Sequence, residues 1–284
     1  MKRNYGPYIN GAFVHPEGAE IVSLANRRGA VIAELAGASP QELRHAAAAA
    51  RAAFREWTRL PAHQRARALY ALTEAMERAR DAFIEALKIT SRATPAAARR
   101  EINTALDRLL AFAGWADKYA AVLGGPDPVA GPYYTFTTPR PIGVVGLVAP
   151  TQPALLPVLT LAAAALCAGN TAVLLVESAY ALPAMALAEC CAPARMPAGV
   201  LNIIPGDIPA LLATIADEHD VDALCAPPTR RDYAATLHAP APQTLQIKTS
   251  TIVDEQWYET DRCESPWMIE PFVATRTVWH PSAT

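Results

Sequence analysis

The sequence predicts an α/β fold, a parallel sheet covered by helices on both faces, and three observations predict it. Between residues 143 and 225 short apolar runs alternate with helix-length segments, the order that builds a parallel sheet. Ahead of them, residues 39–120 carry apolar positions repeating at three and four, the spacing of helices lying on a core. The composition supplies that core: of 284 residues, 52% are hydrophobic and 18% charged, which excludes global disorder. At ~100–200 residues per domain, this length makes one large domain or two small ones.

The elements follow in chain order. Tyr8-Ile9-Asn10-Gly11-Ala12-Phe13-Val14 places an Asn-Gly turn between two apolar runs, a hairpin signal. Val31 to Leu35 alternates at period two, as a strand does. Ser39-Pro40-Gln41-Glu42 predicts a capping box with proline in the first turn. The helix it opens runs to about Trp57. Further helices are expected over about 61–79, 81–90 and 95–120. Gly124 to Pro128 breaks the helical run, and Tyr133 to Thr138 is rich in strand formers. Then strands at 143–148, 171–176, 201–204 and 221–225 alternate with helices at 153–168, 183–191 and 208–216. Prolines interrupt 226–242, including Ala239-Pro240-Ala241-Pro242. Residues 244–253 form one or two strands, 254–271 an irregular connection, and 272–279 a last strand. The expected division is 1–130 for the hairpin and helices, 131–253 for the sheet, and 254–284 for the connection and final strand, together one structural unit.

Composition also excludes partners. Twenty-five basic against 27 acidic residues give a net charge of −2, so no overall field draws nucleic acid or an acidic membrane. Five cysteines is an odd number, and their spacing fits neither a disulfide framework nor a zinc site. Reduced, buried thiols and an N-terminus without an apolar leader make the cytoplasm the expected compartment. The run Ala154–Ala168 is short and broken by Pro157, so it reads as a buried helix and not a membrane span. No Walker, His-Glu-x-x-His or Gly-x-Ser-x-Gly motif is present. Gly143-Val144-Val145-Gly146 lacks the third glycine of a dinucleotide fingerprint, and taken alone it is a close-packed strand.

Three strings are more specific. Pro141-Ile142-Gly143-Val144-Val145-Gly146-Leu147-Val148-Ala149-Pro150, then Ala168-Gly169-Asn170-Thr171, then Pro197 to Asp207 (PAGVLNIIPGD) strongly resemble the aldehyde dehydrogenase superfamily in order and spacing. Tyr8 to Gly11, Trp115-Ala116-Asp117 and Asp220-Val221-Asp222 extend the resemblance over roughly residues 5–225. It implies a three-layer, Rossmann-like coenzyme domain with N-terminal helices and β elements that pair subunits. In that family a further domain carries a cysteine nucleophile. Its thiolate attacks the aldehyde, NAD(P) takes hydride, and a glutamate-activated water releases the acid.

The positions that the resemblance assigns to chemistry depart from the family. Gln152 stands where the oxyanion asparagine is expected, in Pro150-Thr151-Gln152-Pro153. Leu175 replaces the ribose-binding lysine and Ser178 the glutamate, with Glu177 one residue away. Proline follows Cys225-Ala226 where a Gly-Ser turn should meet the pyrophosphate, and proline has no amide hydrogen to offer. Ile208 replaces a glycine after Pro205-Gly206. Gln246 stands for the catalytic glutamate, and a neutral amide cannot be a general base. Only 38 residues follow it, and Cys263 lies in no nucleophile motif. Arg276 to Pro281 resembles the family's segment beyond the catalytic domain, which is expected to be largely missing.

The implied reading is an aldehyde dehydrogenase-like protein that is non-catalytic on its own. It acts as a homo-oligomer or as the partner of a full-length aldehyde dehydrogenase, joined through strands bearing Tyr133, Tyr134, Phe136, Phe272, Val278 and Trp279. No coenzyme is expected, or NAD or NADP held weakly by the remnants Val148, Ala149, Pro150, Thr151, Leu175, Glu177 and Gly206. Two alternatives stay open: a residual oxidoreductase using Cys263 or a partner's cysteine, and a nucleotide-binding regulatory module.

Overall fold

The computed structural model describes residues 2–227 and 245–281. At its centre is a sheet whose parallel strands are β8 (Val144–Val148), β9 (Thr171–Glu177), β10 (Leu201–Gly206), β11 (Ala223–Ala226) and β12 (Gln246–Thr249). The hairpin β2 (Tyr8–Ile9) and β3 (Ala12–Phe13) completes it, giving the order β12-β11-β8-β9-β10-β2-β3. The hairpin runs antiparallel to β10 and turns on Asn10 and Gly11, both at positive φ (49° and 84°), as an Asn-Gly turn requires.

Alternation along each strand sends side chains to two cores. Val145 and Leu147 on β8, with Ala172, Leu174 and Val176 on β9, face one; Val144, Val148, Val173 and Leu175 face the other. The second core lies under α1 (Pro40–Trp57) and α8 (Ile208–Ala216). The first lies under α6 (Leu156–Ala168) and α7 (Leu182–Cys191). Outside these pack α2 (Ala62–Arg78), α3 (Arg80–Thr90) and α4 (Pro95–Trp115). Every residue of α6 is buried, which is why its sequence is apolar on every face with Thr160 as the exception. The capping box at Ser39 forms as expected: Gln41 N donates to Ser39 Oγ at 3.1 Å and Ser39 N to Glu42 Oε2 at 2.8 Å.

Two smaller sheets flank the centre. One has the order β1-β5-β4, with β1 (Arg3–Tyr5) parallel to β5 (Val31–Ala36) and β4 (Ile21–Ala25) antiparallel. The other has the order β13-β7-β6, with β6 (Gly125–Asp127), β7 (Tyr133–Pro141) and β13 (Val273–Pro281). Strand β6 arises where the sequence reads as a break; Pro126 is tolerated there because β6 is an edge strand. The helix expected over 95–120 divides into α4 and a short α5 (Tyr119–Leu123). At the break, Trp115 Nε1 donates to Glu264 O at 2.7 Å and Lys118 Nζ takes the Gly114 carbonyl at 2.6 Å.

Residues 254–272 form short 3-10 turns around the helix Thr260–Cys263. Trp257, Cys263, Ile269 and Phe272 of this segment are buried in the first core. Phe272, expected to contribute an exposed aromatic surface, is 1% exposed. It precedes β13 and belongs to the packed segment, where its carbonyl accepts from Asn170 Nδ2 at 2.9 Å.

Candidate functional site

Read from β10 across to β12, the parallel strands run third, second, first, fourth, fifth, so the order reverses at β8. A crevice outside the carboxyl end of such a strand is where open α/β sheets place their ligands. The strand register brings most of the sequence-assigned residues to this edge. Val148 pairs with Leu175, and Glu177 with Gly206. Ala149 N donates to Leu175 O at 3.2 Å, and Pro150, Thr151 and Gln152 follow directly. Gln152 is exposed; Pro150 and Thr151 are half-buried.

Gln246 is not with them. It pairs with Ala223, itself level with Val145, so it sits at the amino-terminal start of β12. Three residues of β12, roughly 10 Å at ~3.3 Å per residue, separate it from Thr249 at the carboxyl end. The two glutamines assigned to oxyanion and base positions therefore do not share one edge of the sheet. Of the proline-interrupted turn after β11, Pro228 and Thr229 lie outside the described residues, as does Ala239 to Pro242.

The edge is closed by apolar packing. Leu175 is 0% exposed and belongs to the core under α1 and α8. Ser178 is buried beneath the link from β5 to α1: a Cβ at Gly37 would stand 3.8 Å from its hydroxyl, and Ala38 N donates to Pro205 O at 2.8 Å. Above Gly206 the space is taken by Leu211, whose Cδ1 would lie 2.6 Å from any added Cβ. A ribose here would ask for a reachable donor and a reachable carboxylate. Leu175 and Ser178 are neither, so these positions do not fit the adenosine half of a nicotinamide coenzyme.

The chain's own carboxylate occupies the start of the nearest helix. Glu101 of α4, 4% exposed, accepts from Leu155 N at 2.7 Å and from Leu156 N at 3.4 Å. A helix N-terminus attracts negative charge, and here Glu101 supplies it. Burial raises the Glu101 carboxyl above the ordinary glutamate value, although the two amides pull it down. Sequence reasoning missed Glu101. The available signal was a charged residue among the apolar positions of α4, repeated seven residues later by the fully buried Arg108.

No thiol is poised as a nucleophile. All five cysteines are free and buried. Burial pushes Cys167, Cys191 and Cys225 up to about 12 and Cys190 to about 11. Cys225 lies one residue before the carboxyl end of β11, and it is 3% exposed. Cys263, the alternative nucleophile, is also raised by burial and donates to Gln256 O at 3.4 Å. A reactive cysteine needs the opposite, an exposed thiol with a lowered pKa. Among the described residues no group of three or more His, Cys, Asp or Glu could hold a metal, and no helix is long and apolar enough to cross a membrane.

Comparison with known proteins places these features. Residues 13–226 match the model of the aldehyde dehydrogenase family. The mitochondrial 10-formyltetrahydrofolate dehydrogenase of Mus musculus is 36% identical over 215 residues, 72% of this chain and 23% of that protein. The mitochondrial aldehyde dehydrogenase of Rattus norvegicus is 32% identical over 226 residues, 76% of this chain and 43% of that one. The chain thus spans less than half the length of these relatives. Among solved structures, a point mutant of the Bacillus cereus aldehyde dehydrogenase superposes with a TM-score of 0.71 at 28% identity, covering 78% of this chain and 45% of that one. The NAD+ complex of the Bacillus cereus enzyme gives 0.75 at 25% identity, covering 87% and 51%.

Proposed function

The chain belongs to the aldehyde dehydrogenase family, and we propose that these residues serve as a non-catalytic, aldehyde dehydrogenase-like subunit, a structural or regulatory partner for a second copy or for a full-length aldehyde dehydrogenase. The observation that carries this reading is the state of the thiols. Aldehyde oxidation of this family's kind begins with a thiolate, and all five thiols here are buried, with pKa values moved upward by that burial. The apolar closure at Leu175, Ser178 and Leu211 argues in the same direction for the coenzyme. NAD or NADP binding is weak or absent in this reading.

The surface supports the partner role. Strand β13 pairs with β7 along nine residues, and its other edge has no strand beside it among the described residues. Tyr133, Tyr134 and Trp279 on this sheet are 46%, 57% and 57% exposed, and Tyr133 and Trp279 meet edge to face at 5.8 Å. Open edges and exposed aromatic surface of this kind are normally covered by pairing.

The test has two readouts. The purified chain, given NAD or NADP with a series of aldehydes, is expected to form no reduced coenzyme and to show no saturable binding by titration calorimetry. Steady turnover, or micromolar coenzyme binding, would overturn the reading, and Glu177 would then be the first residue to substitute. Light scattering after size exclusion, alone and mixed with a full-length aldehyde dehydrogenase, is expected to show an assembly in at least one sample. A monomer in both removes the partner role.

A further inference from the structure

At the amino end of the sheet, opposite the crevice, α6 ends on Gly169 at φ 97°. Its last four carbonyls each find a donor. Ala165 O takes Asn170 Nδ2 at 3.0 Å, Leu166 O takes Trp57 Nε1 at 3.3 Å, Cys167 O takes Arg65 Nε at 3.3 Å, and Ala168 O takes the Tyr119 hydroxyl at 3.1 Å. Beside this cap lies a cavity of about 330 Å³, lined by Phe54, Thr58, Arg65, Tyr119, Arg140 and Ala168 among others.

The charge in this cavity is unbalanced. Arg65 is 8% exposed. Its Nε and Nη1 hold the carbonyls of Cys167 and Leu60, the latter at 2.6 Å, and its Nη2 has no hydrogen-bond partner among the described residues. Arg140 projects into the same cavity from the end of β7. Neither guanidinium has a carboxylate within ion-pair distance among the described residues, although Arg51, Arg80 and Arg108 all do. Asp117, the acidic residue next along the chain from α4, pairs with Lys118 instead. Both arginines line the cavity beside Tyr119; burial raises that hydroxyl above its ordinary value, and the two positive charges pull it the other way. The carbonyl end of α6 offers partial negative charge to one side of Arg65 only.

Two guanidiniums converging on one hollow, with the Thr58 hydroxyl at its wall and Phe54 as an apolar side, form the donor arrangement that recognises an oxyanion. We propose that this cavity is an anion-binding site for the phosphate group of a small phosphorylated molecule, held between Arg65 and Arg140. Two positive charges match a phosphate monoester dianion better than a single carboxylate, and the volume admits a phosphate with a short organic substituent. The site is separate from the crevice at the carboxyl ends of β8 and β9, because α6 runs the full depth of the sheet between them.

The test uses the whole chain and two probes, inorganic phosphate and glycerol phosphate, with acetate and chloride at matched ionic strength as controls. The expected result is a thermal midpoint raised by both phosphates beyond either control, and a saturable calorimetric signal. Glycerol phosphate binding more tightly than inorganic phosphate identifies a phosphorylated molecule as the occupant; equal binding identifies free phosphate. Arg140→Gln, at an exposed position that leaves the α6 cap intact, is expected to weaken phosphate binding about tenfold or more. Arg140→Glu is expected to abolish phosphate binding and to raise the midpoint without ligand, because its carboxylate pairs with Arg65. A midpoint that moves equally in acetate and phosphate, or phosphate binding unchanged in Arg140→Gln, would overturn the proposal.

Discussion

Glu101 shows how one buried residue can fix a crevice wall. Its carboxylate satisfies two amides at the start of α6 that would otherwise be orphaned away from water. Glu101→Ala leaves both unpaired and is expected to cost about 1–3 kcal/mol in urea unfolding. Glu101→Gln keeps an acceptor and should cost less than the alanine. The pH dependence has a definite sign. Burial holds the folded-state pKa above the unfolded value. Between those two values the folded chain binds the extra proton, so this group's contribution favours folding on the acid side and is lost as pH rises through the window. The Glu101→Gln variant should lack that component, which a comparison of unfolding midpoints across mildly acidic pH reads directly. An unchanged pH slope in the glutamine variant would show that Glu101 does not titrate in this way.

Among the elements, α6 carries the most consequence. Apart from the buried Thr160, whose hydroxyl accepts from Arg108 Nη1 at 3.5 Å, its polar obligations lie at its ends, and each end is met by side chains from distant segments. The left-handed turn at Gly169 lets the chain leave the helix and enter β9. Gly169→Ala places a Cβ 3.5 Å from the Arg65 guanidinium carbon in a conformation that L-residues resist. An expected loss of about 1–2 kcal/mol follows from the backbone alone, measured by denaturant unfolding. Displacement of Arg65 would add to it. Much of this element was legible. The apolar run, Pro157 and the Gly169-Asn170 stop mark a buried helix in the sequence, although its first turn begins at Leu156 and not at 153. The partners of its two ends were not legible, since Glu101 lies 54 residues before Leu155 and Arg65 lies 102 before Cys167.

For the whole molecule, the segment 254–272 decides how the C-terminal part joins the rest. Trp257 is fully buried, and its carbonyl accepts from Arg108 Nη2 at 3.2 Å. Arg108, buried inside α4, also meets Glu264 at 3.4 Å. A buried cation without its partner is costly, so this segment and the helical layer stabilise each other. Trp257→Ala is expected to lower stability by about 3–5 kcal/mol, with one cooperative transition retained if the segment is part of a single unit. A separate early transition in calorimetry would show that 254–272 unfolds independently of the helical layer.

The sequence by itself determined the layer order and the family. Strand and helix periodicities, the capping box at Ser39 and the Asn10-Gly11 hairpin are set within a few residues, and local sterics and hydrogen bonding act at that range. The strings around Gly143, Gly169 and Pro205 identify the aldehyde dehydrogenase family for the same reason, because each is a contiguous strand–turn segment. Only the tertiary structure decided what those segments enclose. It separated Gln152 from Gln246 by strand register, buried Ser178 under Gly37, turned Phe272 into core, and brought Arg65 and Arg140 to one cavity. The physical reason is range: burial and charge pairing are properties of neighbours in space, and no local pattern states which distant side chain will fill a given hollow.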